Sequence, residues 1–230
     1  MPKRCYNCGI SFDKLEKSER TKEHFPAQTH YNGYAEEYKF NRKTVPACQC
    51  CNDGYSKIDH YVRDAVGVLN ENDPNKKELT QQAIRNLFAD KKNLAKRLSL
   101  SDNGAYFNFD IAKLDAVHKK NFKCIYAKTF SKPISDDFKL DAYSDGHENK
   151  KLKLGSVFLE ELNNMDDWQV SGHEKVFTYK IAEIDIKTNS LINVVENDEP
   201  KFMIAAMKYN DTITSLVIAA KPEIKELIKT

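Results

Sequence analysis

At 230 residues, with 40% hydrophobic and 30% charged side chains, the chain has the composition of a folded globular protein and not of a disordered one. No apolar run approaches the ~20 residues of a bilayer-crossing helix, and the opening MPKRCYNCG has charge but no apolar signal region, so a cytoplasmic, membrane-free protein is expected. The net charge of +2 divides unevenly: residues 1–100 carry 18 Lys+Arg against 13 Asp+Glu, and residues 101–230 carry 18 Lys against 21 Asp+Glu with no arginine, so a polyanion is expected toward the N-terminal part.

Five of the six cysteines fall within the first 51 residues. In a reducing compartment such clusters bind metal more often than they form disulfides. Cys5 and Cys8 form a CxxC pair, and only Cys48 and Cys51 repeat that spacing, with Cys50 between them. Two CxxC turns aimed at one ion make a closed four-thiolate zinc site with no position left for water. Zinc is therefore expected to hold the fold, and Cys50 to point elsewhere. Residues 1–66 are read as a small module that uses metal in place of a large core.

Between the pairs lies Thr21-Lys22-Glu23-His24-Phe25-Pro26, read as a strand that the staple brings toward Asn52. Ser56-Lys57-Ile58-Asp59 reads as a capping box that starts a helix carrying Ile58, Tyr61, Val62 and Val66. After the polar break NENDPN, a helical connector within residues 67–100 has an apolar stripe of Leu79, Ile84, Leu87, Phe88, Ala95 and Leu98. Residues 105–110 look like a strand. Ile111, Leu114, Val117, Ile125 and Phe130 mark a long helix entered through Asp110. VFTYKIAEID, SLINVVEN, FMIAAMKY and TITSLVIAA read as strands separated by turns. The expected class is α+β: a zinc-stapled module, a helix, and a mainly antiparallel α+β domain over residues 101–230 that selects substrate or forms oligomers.

The run CYNC, EHFP and VPACQCCN followed by SKIDHYVR resembles the HNH endonuclease family with its ββα-metal fold. It is most similar to the zinc-stapled branch in which asparagine follows the last cysteine, and to a group of bacterial HNH proteins of similar length. The motifs cover about residues 5 to 63. The resemblance implies a DNA-cleaving phosphodiester hydrolase in which His24 is the general base and Glu23 and Asn52 hold one Mg2+ or Mn2+. A hard cation with a carboxylate and an amide oxygen, beside a histidine titrating near neutrality, is suited to that hydrolysis. Arg42, Lys43 and Arg63 flank the implied site and are candidates for phosphate contacts. A role in phage defence rests on the resemblance alone, and a homodimer or partner protein would use the C-terminal domain.

The sequence departs from the family at two places. Lys43 stands where many HNH sequences have asparagine, with Asn41 out of register, and Glu23 is one methylene longer than the usual aspartate. Other readings stay open. His24 could be a hydrogen-bonded structural histidine, Asn52 a turn cap, and the basic residues simply solvated. His30 and His60 are alternative contacts, and Asp59 reads as a cap. The runner-up reading is a non-catalytic zinc-stapled unit that binds nucleic acid or protein, and a third is a scaffold for a functional second domain.

Overall fold

Residues RTKEH and TVPAC build a short hairpin, and the chain passes straight from its second strand into a helix. The computed structural model describes residues 3–68, 77–89, 98–101, 104–144, 158, 160–166, 168–188, 190–195, 199–210 and 213–224. Strand β1 (Arg20–His24) pairs antiparallel with β2 (Thr44–Cys48), with Glu23 opposite Val45 and His24 opposite Thr44. Helix α1 (Gln49–Val68) follows with no intervening loop. It therefore begins seven residues before Ser56, because the second cysteine turn is itself the first turn of the helix.

Helix α2 (Lys77–Ala89) packs on α1, where Thr80 donates to the Gly67 carbonyl at 3.0 Å and the Asn86 amide reaches both Asp64 oxygens. Ala95 of the expected stripe lies outside the described residues. Leu98 opens β3 (Leu98–Ser101), which pairs with β4 (Gly104–Phe107).

The expected long helix is α3 (Ile111–Phe130), and Asp110 caps it by accepting from the Lys113 amide. Its apolar stripe includes Leu114, Val117, Phe122, Ile125 and Tyr126, and α3 packs against α1 and β2 on one side and the main sheet on the other. Each such side chain removed from water contributes about 1.5–3 kcal/mol. Polar contacts fix the sheet side. His118 Nε2 lies 2.9 Å from Ser144 Oγ, and the Asn121 amide donates to the Tyr209 hydroxyl at 2.7 Å.

That sheet is formed by β5 (Lys139–Ser144), β6 (Gln169–Val170), β7 (Phe177–Asp185), β8 (Ser190–Asn193), β9 (Phe202–Tyr209) and β10 (Ile213–Ala220). Its order is β5-β10-β9-β7-β6, with β8 also pairing β7, and every pairing is antiparallel. The fold is thus α+β with a mainly antiparallel sheet. Met203, Ala205 and Met207 of β9 join the cluster under α3, while Phe202, Ile204 and Ala206 join Phe158 and Leu162 on the opposite face. A strand covered on both faces needs a continuous apolar run, which is why FMIAAMKY does not alternate with polar residues.

The same apolar cluster contains Cys5, Phe25, Val45 and Val62 of the N-terminal module together with Phe177, Tyr209 and Val217 of the sheet. The long β1–β2 connection is anchored to the turn before β7. Tyr31 donates its hydroxyl to the Ser171 carbonyl, and Gly172 donates to the Asn41 carbonyl at 3.2 Å. Gly172 has φ +74°, and a Cβ there would meet the Tyr31 ring at 2.6 Å, so glycine is required on both counts. No helix among the described residues is long and apolar enough to cross a membrane.

Candidate metal centre

The first CxxC turn is closed by backbone bonds. The Cys5 amide donates to Ile10, the Gly9 amide donates to Cys5 at 3.0 Å, and Gly9 takes φ +69°. The Tyr6 amide then donates to the Pro46 carbonyl at 2.9 Å, which fastens this turn to β2. Cys48 ends β2 and Cys51 lies in the first turn of α1, so the second pair spans the strand–helix junction. The sulfurs of Cys5, Cys8, Cys48 and Cys51 all lie within 4.8 Å of one another, and they form a site able to hold a metal ion. Cys50 is exposed and outside the cluster, as its spacing predicts. The Asn7 amide donates to Cys51 Sγ at 3.4 Å, and Lys123 of α3 donates to Asn7 Oδ1 at 2.9 Å, tying the centre to the central helix.

Successive residues of a strand point to opposite faces, and this separates Glu23 from His24. Glu23 points inward and is 3% exposed. Its Oε1 accepts from Lys120 Nζ at 3.1 Å, and the same ammonium donates to Asp59 Oδ1 and Oδ2 at 2.8 and 2.9 Å. Lys120 is 0% exposed, and its ammonium also lies 5.7 Å from the Tyr55 ring. Glu23 Oε2 is buried with no hydrogen-bond partner among the described residues. Burial pushes the Glu23 and Asp59 carboxyls above their ordinary range despite the ammonium. Burial also pulls Lys120 down, but Asp59 and Glu23 outweigh it, so Lys120 stands above the usual lysine value and stays charged.

His24 is partly buried on the outer face. Burial, then Arg42, Lys22 and Lys120, hold its pKa below the usual histidine value, which leaves a neutral imidazole at pH 7. Asn52 is partly buried in the first turn of α1, and its side chain has no hydrogen-bond partner among the described residues. Asn52, Tyr55 and Asp59 follow three- and four-residue steps and share one stripe of α1. The structure therefore gathers Glu23, Asp59 and Lys120 on the inner side, puts Asn52 two turns from Asp59 on the same stripe, and holds His24 on the outer side.

The remaining candidates have other neighbours. His30 is buried, and burial followed by Lys120 and Arg63 pushes its pKa down to about 3. His60 Nδ1 lies 3.1 Å from an Arg63 nitrogen, and the buried Arg63 guanidinium engages Asp64 at 2.5 and 2.8 Å. Arg42 lies 5.5 Å from the Tyr31 ring centre. Lys43 Nζ donates to Gln169 and to the Tyr179 hydroxyl, each at 3.0 Å. Lys120 did not emerge from the sequence. Its signal was there, because it stands three residues after Val117 and four before Cys124 on the buried stripe of α3.

The fold and the centre define an α+β protein with a four-cysteine cluster able to hold a metal ion at the junction of a hairpin and a helix. The chain matches no protein-family model, no curated protein and no solved structure in the three comparisons made.

Proposed function

We propose that this chain is a metal-dependent endonuclease of the HNH type that hydrolyses phosphodiester bonds in DNA, with zinc on Cys5, Cys8, Cys48 and Cys51. The observation that carries this reading is that the β1–β2 pair runs directly into α1 with four thiols at that junction, so that Glu23, His24 and Asn52 belong to one fastened unit. Four thiolates about 2.3 Å from one zinc ion sit about 3.8 Å apart, and Cys8 Sγ lies 3.8 Å from Cys48 Sγ. Such a shell is closed, so zinc holds the unit and the chemistry belongs beside it.

His24 takes a proton from the attacking water, a role its lowered pKa and outward face suit. In this reading Glu23 and Asn52 would be the oxygen donors for Mg2+ or Mn2+, which would supply Lewis-acid stabilisation of the phosphoryl group. Glu23 would have to turn from Lys120 toward the face of His24. The fit rests on the unpartnered Glu23 oxygen and on two carboxylates facing a single ammonium, which leaves scope for further positive charge. Arg42, beside His24, offers a forked donor to phosphate. Arg63 has no part in the proposal, because its guanidinium is spent on Asp64.

The Lys120–Glu23 ion pair favours a second reading, a non-catalytic zinc-stapled module that binds nucleic acid or protein. In that reading the ammonium alone, among the described residues, balances the inner carboxylates. Incubation with supercoiled plasmid and with single-stranded DNA in Mg2+ or Mn2+, beside His24→Ala, separates the two. Cleavage lost in the variant is expected. Equal inertness of both proteins in every metal selects the second reading, and equal cleavage by both removes His24 from the mechanism.

A further inference from the structure

Opposed residues of an antiparallel pair share a face. His24 and Thr44 therefore lie on the outer side of the hairpin with Lys22 and Pro46, opposite Glu23 and Val45. Thr44, Val45 and Pro46 of β2 wall a cleft of about 480 Å3 whose rim carries Lys3, Arg4, Lys128 and Lys132. A second cleft, of about 400 Å3, shares Lys128 and adds Lys43 and Lys180. No acidic residue lines either cleft among the described residues.

Several of these six cations lack a counter-charge. Lys128 is exposed near the end of α3 and makes no ion pair among the described residues. Lys180 is 5% exposed, yet it has no hydrogen bond or ion pair among the described residues. Among the described residues Lys43 bonds only to neutral groups, Arg4 donates to the Gly9 carbonyl, and of the six only Lys132 meets an acid, Glu199 at 3.2 Å. Cations without counter-charges that line clefts free of acids raise the local concentration of anions. The like charges around Lys128 also focus a positive field along both clefts.

We propose that the two joined clefts are the track for a single DNA strand, whose phosphates run past Lys3, Arg4, Lys128 and Lys132 and along the face that carries His24. Clefts of this volume have the dimensions of small-ligand sites, which admit a nucleotide chain. The choice of DNA rests on the nuclease reading, but the track can fail or stand independently of it.

The test is fluorescence anisotropy with a labelled single-stranded DNA oligonucleotide, without divalent cations, over a potassium chloride series. Removing one side chain that neutralises a phosphate of a single strand should flatten the plot of log K against log salt by about 0.7. Lys128→Ala should show one such step. Arg4→Ala/Lys128→Ala/Lys132→Ala should lower the slope by about 2 and bind at least about tenfold more weakly. All three side chains are exposed, and zinc content and far-UV circular dichroism check that the fold survives. Lys187→Ala, on the turn between β7 and β8, should bind as wild type. An unchanged slope in the triple variant overturns the track. Tighter binding of the matching duplex overturns its assignment to a single strand. Binding that depends on the track in a protein that cuts nothing keeps the track and removes the nuclease reading. Cleavage of single-stranded DNA indifferent to the triple variant removes the track and keeps the nuclease.

Discussion

Seven of the eight residues of β9 are buried, and none of the seven is charged, whereas β1 buries one residue of five and that residue is Glu23. The main sheet is stabilised by apolar surface removed from water on both faces. The hairpin region is too small to do the same. It combines four sulfurs at its outer junction with a buried Glu23–Lys120–Asp59 cluster where it meets α3. The two modes fail differently. An apolar core weakens in proportion to the methylenes removed, while directional bonds fail together when one partner is removed.

The largest break in that comparison should come from the sulfurs. Metal analysis should find about one zinc per chain, and Cys48→Ser should lose it and unfold the hairpin region, since structural zinc contributes on the order of 10 kcal/mol. Cys50→Ser should keep its zinc and fold normally. Zinc loss from Cys50→Ser instead would mean that the thiols are paired wrongly.

A smaller effect is expected at the ion cluster. Lys120→Met leaves two buried carboxylates without their cation and should cost about 3–5 kcal/mol in urea unfolding at pH 7. Ile204→Val in β9 should cost only about 0.5–1.5 kcal/mol. The Lys120→Met deficit should shrink on acidification, because burial has already raised the Glu23 and Asp59 pKa values and protonation removes their charge. Equal costs for Lys120→Met and Ile204→Val would show that the cluster contributes no more than one methylene of core.

The most gradual effect is acid loss of stability from the buried histidines. Burial holds both His30 and His118 at about 3 in the folded chain, against about 6.5 when unfolded. The unfolded chain therefore takes up these protons first. Their contribution is complete above about 6.5 and drains away as pH falls toward 3. Glu23 and Asp59 act in the opposite sense, because a raised carboxyl favours the folded state at low pH and that benefit is lost as pH rises through the folded value. The difference in melting temperature between wild type and His118→Gln, followed over that window, isolates one histidine. A difference independent of pH would mean that His118 titrates alike in the folded and unfolded chain.

Parts of this arrangement were legible from residue spacing. Two equal CxxC steps identified the four clustered thiols and set Cys50 aside, because the reach of a two-residue turn is a local property. Asp110 marked the start of α3, and the apolar runs marked β7, β9 and β10. The start of α1 was misread. Ser56 has the sequence of a cap, but the helix had already been initiated by the cysteine turn at Gln49. Of the residues flanking the proposed site, Arg63 looked free for phosphate in sequence and is turned inward onto Asp64 in the fold.

By itself the sequence determined what short-range geometry can encode: the thiol set, the strand that carries Glu23 and His24, and the helices and strands around them. Only the tertiary structure decided which partners those side chains meet. Lys120 reaches Asp59 across 61 residues and Glu23 across 97. Lys128 lines both clefts, whose other cations come from the N-terminus, the residue before β2, the turn after α3, and β7. Helical phase could place each lysine on a face of α3, but the energy of a charge depends on what lies within a few ångströms of it. That neighbourhood exists only once the hairpin, α3 and the sheet have packed together.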